Sequence, residues 1–310
     1  MKIVCKFILG FIFIIACGSK IITGDKPIML QYQNEWYFPI FVNYTNADFG
    51  ENNTVLANYH NLPEVTWCLY PIIPYDVLSI TDKLQPPSKQ HVLGTNASGQ
   101  DMLVLILYGL QTLVFMGLVS FSLSLTFAFL FGIIQGYYGG WVDVIMQRFY
   151  EVFISIPIIY VVMLLGQIVV LNNFTFTLLF ASLSWVTLVP VIRTRTMVLR
   201  EVEFIKALRI FQVSSWHIMY KHIRPQIFIY LKGILPLMFI TFILSLVGLE
   251  FLGGTFNTTL GIVSLGGLIW EGQQYLSSPW IIIAPSVILL IILLALVIIL
   301  DGSYTRKYHY

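Results

Sequence analysis

Charge is scarce in this chain. Lys, Arg, Asp and Glu make up 10% of its 310 residues, against about 25% in an ordinary soluble domain. So few charges cannot solvate the surface of a water-soluble fold, and a disordered chain would need more. A net charge of +2 leaves no electrostatic footprint for nucleic acid. Cysteine is rare too. Cys5, Cys17 and Cys68 lie far apart, with no CxxC, so neither a disulfide framework nor a zinc site follows. His60 and His91 are too isolated to mark a metal. The chain lacks G-x-x-x-x-G-K-[ST], the loop that cradles nucleotide phosphates, and it lacks HExxH. It is therefore not expected to be an enzyme or to bind a cofactor itself.

What it has is apolar length. Hydrophobic residues make up 57% of the chain, and the mean hydropathy is +0.82. About 20 apolar residues cross a bilayer as a helix. That ruler predicts an all-α polytopic membrane protein with about six spans, at 7–22, within 102–136, and at 153–171, 174–192, 233–252 and 280–300. The uncharged run 102–136 exceeds one span, so its first part is expected along the interface, with the helix diving near Phe115. Glycines between the last two spans (Gly253, Gly254, Gly261, Gly266, Gly267, Gly272) predict a structured, re-entrant loop rather than a helix.

The chain divides accordingly into a first transmembrane helix (1–22), an extracytoplasmic segment (23–101) and a helical core (102–310). Thirteen of the 17 basic residues fall on the side of the termini and of the 193–232 loop. That places both termini and this loop in the cytoplasm. The N-terminal run also resembles a signal peptide, down to Ile14-Ile15-Ala16-Cys17. An even number of spans agrees with the charge count and favours an uncleaved helix. The outer segment is rich in aromatics such as Trp36, Tyr44 and Trp67. It reads either as an interfacial cap or as a docking surface for an extracytoplasmic partner.

The 193–232 loop carries the sharpest pattern. Phe204, Ala207, Leu208 and Phe211 recur at i, i+3, i+4 and i+7, as do Trp216, Met219, Tyr220 and Ile223. Each set makes one apolar stripe on a short helix. Ser214 or Ser215 can cap the second helix, and Pro225 is expected to end it. Such a pair either lies on lipid headgroups or inserts into a groove of a soluble partner. Ser120, Ser122, Ser124, Thr126, Gln167, Ser182, Ser184 and Thr187 give the spans polar faces. Helix packing is the expected role, and a translocation path the other. Glu250 near an outer helix end is a candidate gate. Asp143, Arg148 and Glu151 form a patch expected to pair ions or anchor a loop.

The run from Glu203 to Pro225 resembles the EAA loop of bacterial ABC importer permeases. Ala207 matches the central Ala, and Ile223 and Pro225 match the close of the motif. Lys206 stands where the motif has Glu, Gln212 where it has Gly, and Arg224 where it has Leu. The Gly would supply a left-handed turn. Leu93-Gly-Thr-Asn-Ala-Ser-Gly-Gln-Asp101 resembles the L-G-T-D-x-x-G-R-D of the dipeptide and oligopeptide branch. Gln135-Gly-Tyr-Tyr-Gly-Gly-Trp-Val-Asp143 and Leu249-Glu-Phe-Leu-Gly253 are similar to the same branch. Asp25-Lys-Pro27 and Trp36-Tyr-Phe-Pro39 resemble the YejE-type microcin C and oligopeptide permeases.

The resemblance implies a type I ABC importer in the bacterial inner membrane. This chain would be one permease, beside a second homologous permease subunit. Two ABC ATPase subunits would hold the ATP and Mg, and an extracytoplasmic solute-binding protein would deliver cargo. Glu203, Phe204, Lys206, Ala207, Leu208, Arg209, Phe211, Gln212 and Pro225 would form the ATPase-coupling loop, with Lys206 and Arg209 pairing acids on the ATPase rim. Oligopeptides or peptide-like compounds would pass between the permeases. An ion-coupled secondary transporter is the alternative, but it would place ionisable residues near the bilayer midplane. Spans two, three, four and six have none in their cores.

Overall fold

The computed structural model describes residues 2–49, 57, 59, 65–157, 160–161, 164–165, 172–252 and 263–305. The expected third span, 153–171, lies mostly outside the described residues, as do Gln167, His60, Gly253, Gly254 and Gly261. Helices dominate. In chain order they are α1 (Lys2–Cys17), α2 (Ser19–Ile22), α3 (Met102–Tyr138), α4 (Gly140–Ser155), α5 (Asn173–Arg200), α6 (Glu203–Ile210), α7 (Ser215–Leu252), α8 (Leu265–Gln274) and α9 (Trp280–Thr305). Among the described residues, α3, α5, α7 and Trp280–Ile298 of α9 are long and apolar enough to cross a membrane. The expected first span breaks at Gly18, between α1 and α2.

The chain forms two compact units. One comprises Gly10–Gln111 and Val263–Val287. It contains an antiparallel sheet that the hydropathy pattern does not predict, β1 (Met29–Tyr32), β2 (Glu35–Tyr37) and β3 (Val65–Leu69), in the order β2-β1-β3. Gln33 and Asn34 both take positive φ, the geometry of a two-residue hairpin. One face buries Leu30, Tyr32, Phe49 and Tyr59. Tyr32 Oη donates to the Phe49 carbonyl at 3.0 Å.

The same unit holds the 93–101 motif. Gly94 (φ 77°) and Gly99 (φ 84°) make its left-handed turns, and a Cβ on Gly99 would collide with the Thr81 carbonyl. Asn96 Oδ1 accepts the Ser98 and Gln100 amides. Asp101 Oδ1 accepts from Leu103 and Val104 N–H and so caps α3. Its other oxygen meets His91 Nδ1 at 2.8 Å, with both side chains buried. The start of α3 is likewise buried in protein, with Met102, Val104 and Ile106 fully inaccessible. That corrects the expectation of an interfacial first part, because α3 is continuous from its Asp101 cap. The Gly-rich stretch is corrected as well. Gly266, Gly267 and Gly272 lie within helix α8, capped by the Ser264 side chain. At Gly272 a Cβ would come within 2.6 Å of Ile282, so close packing requires that glycine.

The second unit comprises Met1–Leu9, Thr112–Ile262 and Ile288–Tyr310. Its core is the seam between α3 and α5. Ser120, Ser124, Ala128, Gly132 and Gly136 recur every four residues along α3. Ser120 Oγ donates to the Thr177 carbonyl at 3.0 Å, and Ser124 Oγ to the Ala181 carbonyl at 3.1 Å. Cβ atoms at Gly132 and Gly136 would lie 2.8 Å from Ile192 and 2.6 Å from Thr196. Small residues here let two backbones approach closely.

Candidate functional site

The loop between α5 and α7 is shorter than 193–232. Arg193 to Arg200 extend α5, and α7 begins at Ser215. Between them stands α6, with Glu203 in its first turn and Arg209 in its last, each complementing the helix dipole. Its far end is a Schellman turn. Gln212 N–H donates to the Arg209 carbonyl at 3.0 Å, and Val213 N–H to the Leu208 carbonyl at 3.1 Å. Gln212 takes φ 57°, so the glutamine adopts the left-handed conformation where the family motif has glycine. The Ser214 side chain then caps α7 by accepting from His217 N–H.

Pro225 does not end the second helix, which is the start of α7. Residues Ile218–Ile223 form a π-helical turn, and Arg224 N–H reaches the Met219 carbonyl five residues back. The wider turn lets the helix pass a proline that has no amide to give. The helix then continues from Arg224 to Leu252.

The two predicted stripes do not face one way. On α6 and its C-cap, Phe204 is 50% and Phe211 79% exposed, joined by Ile210 at 79%. Ala207 and Leu208 are half-buried, and Ile205 is buried at 1% as the anchor of the helix. The Phe204 and His222 rings pack in a T-shaped arrangement, 5.2 Å between centroids. Of the second stripe, Met219 and Ile223 are buried, whereas Trp216 and Tyr220 remain exposed.

Several basic residues of this region have partners within the chain. Lys206 Nζ lies 3.1 Å from Glu201, and both are solvent-exposed. With Arg200, Lys206 holds the Glu201 carboxyl below its usual range, Lys206 contributing more. The Arg209 guanidinium sits 4.4 Å over the Tyr137 ring, and Nη2 donates to the Tyr137 carbonyl at 3.5 Å. Arg193 clamps Asp143 with two bonds, at 2.5 Å and 2.6 Å. Those bonds lower the Asp143 pKa against the opposing effect of burial. Arg148 pairs instead with Glu151 at 2.8 Å on the surface. No local spacing points to Arg193 as the partner of Asp143, because the pair is 50 residues apart.

The path candidates separate. Ser184 is buried and lines a groove of about 340 Å³ with Phe153, Thr187, Thr241 and Ser245. Ser182 is exposed, and its hydroxyl bonds the Leu179 carbonyl of its own helix. Glu250 is 5% exposed at the far end of α7 and does not line that groove. Among the described residues, no cluster of His, Cys, Asp and Glu could hold a metal.

Residues 128–306 match the family model described as binding-protein-dependent transport system inner membrane component. The chain is 35% identical over 286 residues to the inner membrane ABC transporter permease protein YejE of Escherichia coli K12, covering 87% of this chain and 83% of that one. It is 27% identical to the peptidoglycan transport system permease protein YejE of Agrobacterium fabrum, covering 87% and 79%. With the oligopeptide transport system permease protein OppC of Mycobacterium tuberculosis H37Rv it shares 35% identity, covering 76% and 82%. The matched segment contains α6, its turn and the α3–α5 seam from Ala128 onward, and the chain belongs to the family of binding-protein-dependent transport system inner membrane components.

Proposed function

We propose that this chain is one permease half of an ATP-driven importer of oligopeptides or peptide-like compounds, of the microcin C type, in the bacterial inner membrane. Two of the relatives are peptidoglycan and oligopeptide transport permeases by name, and cargo of that chemistry suits a wide polar path. ATP and Mg are held by separate ATPase subunits, a second homologous permease completes the path, and an extracytoplasmic binding protein supplies cargo. Both termini and α6 face the cytoplasm, as the basic residues favour.

The observation that carries this reading is the shape of α6. Eight residues stand between two long helices, fixed by Ile205 below and by the Schellman turn at the end. Together with the C-cap, they leave Phe204, Ile210 and Phe211 exposed around small Ala207. Such a knob fits an apolar groove on an ATPase. Nucleotide-driven closure of the ATPases would then carry α6 with it and rock the attached helices. Lys206 and Arg209, already engaged within the chain, add little to docking, since exposed ion pairs contribute at most about 1 kcal/mol. Apolar contact dominates.

Ala207→Glu tests the docking face. It places a charge in the apolar contact without touching Ile205. Peptide uptake by the reconstituted importer should fall at least about tenfold, while the chain still inserts and still binds its sister permease. Wild-type uptake in this variant would refute the docking face.

A further inference from the structure

The Arg224 departure from the family motif has a structural setting of its own. A groove of about 520 Å³ runs between α3 and the first turns of α7. Leu125, Phe129, Leu130 and Ile133 form one wall, Met219 and Phe228 the other. Trp216, Tyr220 and Arg224 stand around it. The Arg224 guanidinium lies 4.6 Å over the Tyr220 ring. No carboxylate pairs with it among the described residues, and the sequence has no Asp or Glu between Glu203 and Glu250.

We propose that this groove binds one acyl chain of an anionic phospholipid, with the lipid phosphate on Arg224. Three observations carry the assignment. The lining is almost entirely apolar, but one cation without an acidic partner among the described residues stands at it, so the occupant combines hydrocarbon with negative charge. The α3 wall from Leu125 to Ile134 spans about 14 Å of helix, close to the roughly 15 Å of hydrocarbon in one leaflet. Tyr220 and Arg224 are four residues apart and so stand on one face of α7, the cation 4.6 Å over the ring. Trp and Tyr beside the cation are side chains that favour the headgroup boundary, and basic sites between membrane helices suit acidic headgroups.

The test is native mass spectrometry of the full-length chain in detergent, titrated with palmitoyl-oleoyl phosphatidylglycerol or with its phosphatidylcholine counterpart. The wild type should retain the first phosphatidylglycerol about tenfold more tightly than phosphatidylcholine. Arg224→Leu, the residue of the family motif, should erase that preference. Arg224→Lys should keep part of it, which also shows that the fold survives substitution. Thr126→Trp fills the groove from the α3 side, leaves Arg224 in place, and should lower retention of both lipids. Equal retention of the two lipids by the wild type overturns the proposal. So does an undiminished preference in Arg224→Leu, or unchanged phosphatidylglycerol retention in Thr126→Trp, which would leave only a surface cation. A cysteine at Thr126 that crosslinks to the sister permease in the assembled importer would assign the groove to protein and overturn it too. The lipid-retention readouts need neither transport nor a sister permease, so they stand apart from the importer reading.

Discussion

The Arg209 guanidinium covers the face of the buried Tyr137 ring at 4.4 Å. Through that contact the last turn of α6 is fastened to the last turn of α3, 72 residues earlier in the chain. A cation held over a ring contributes about 0.5–1 kcal/mol at an exposed site and more when desolvated. Tyr137→Leu or Arg209→Ala should therefore leave α6 folded but loosely attached. The ratio of peptide imported to ATP hydrolysed should drop severalfold, while Tyr137→Phe, which keeps the ring, should match the wild type. Equal ratios in all three variants would show that the contact transmits no motion.

Gln212 holds a left-handed backbone that costs a residue with a Cβ about 1–2 kcal/mol. Gln212→Gly removes that strain and keeps both hydrogen bonds of the turn, at the expense of a more flexible unfolded chain. The net gain should be about 0.5–1 kcal/mol, read as a two- to fivefold slowing of hydrogen exchange at the Gln212 and Val213 amides. Gln212→Val should speed it.

At Gly136 a Cβ would meet the Arg193 carbonyl and Thr196, both at 2.6 Å. Gly136→Val should force α3 away from α5 and cost about 1–3 kcal/mol, the usual range for overpacking. A lower thermal midpoint and weaker recovery from the membrane are the expected readouts. The same change at Gly233, where no atom lies within 4 Å, is the control for helix insertion.

Glu271 on α8 is pushed above its ordinary value of 4.5 by burial, which outweighs the bonds it accepts from Ala97 N–H at 3.3 Å and Asn96 Nδ2 at 3.4 Å. An acid with a raised pKa in the folded state binds its proton better there than when unfolded. Its favourable contribution is full below 4.5 and is lost as pH rises through the folded-state value. Glu271→Gln should accordingly raise the thermal midpoint at pH 7 and flatten its dependence on pH above 4.5. An unchanged midpoint and slope would mean that the carboxylate is well solvated.

The spans and the loop are legible in the sequence because hydropathy and i, i+4 spacing are local signals. Four expected spans fall on α3, α5, α7 and α9, and Ser214 is the cap. The sheet is not legible, because its strands are three to five residues long and its hairpin turns on Gln33-Asn34, without the usual glycine. Residues 265–274 read as a loop because their glycines, taken one by one, argue against a helix. Only the approach of Ile282 to Gly272 explains one of them. Within the candidate coupling loop the apolar stripe is visible, but which part faces outward depends on tertiary packing. Ile205, off the stripe, is the buried anchor while Phe204 and Phe211 on it are exposed, and the partners of Arg193 and Arg209 are distant in sequence. The π-helical turn has no periodic signature, so Pro225 looks like a terminator.

The seam between α3 and α5 has a mechanical consequence. The Ser120 and Ser124 hydroxyls dock on the Thr177 and Ala181 carbonyls, and both pairs are four residues apart. Sliding one helix along the other by a fraction of a turn would break both bonds and drive Ile192 and Thr196 against the floor left by Gly132 and Gly136. The next matching register lies about 6 Å away, four residues of helical rise. Axial creep in small increments is thus opposed, and the pair pivots together more easily than it slides.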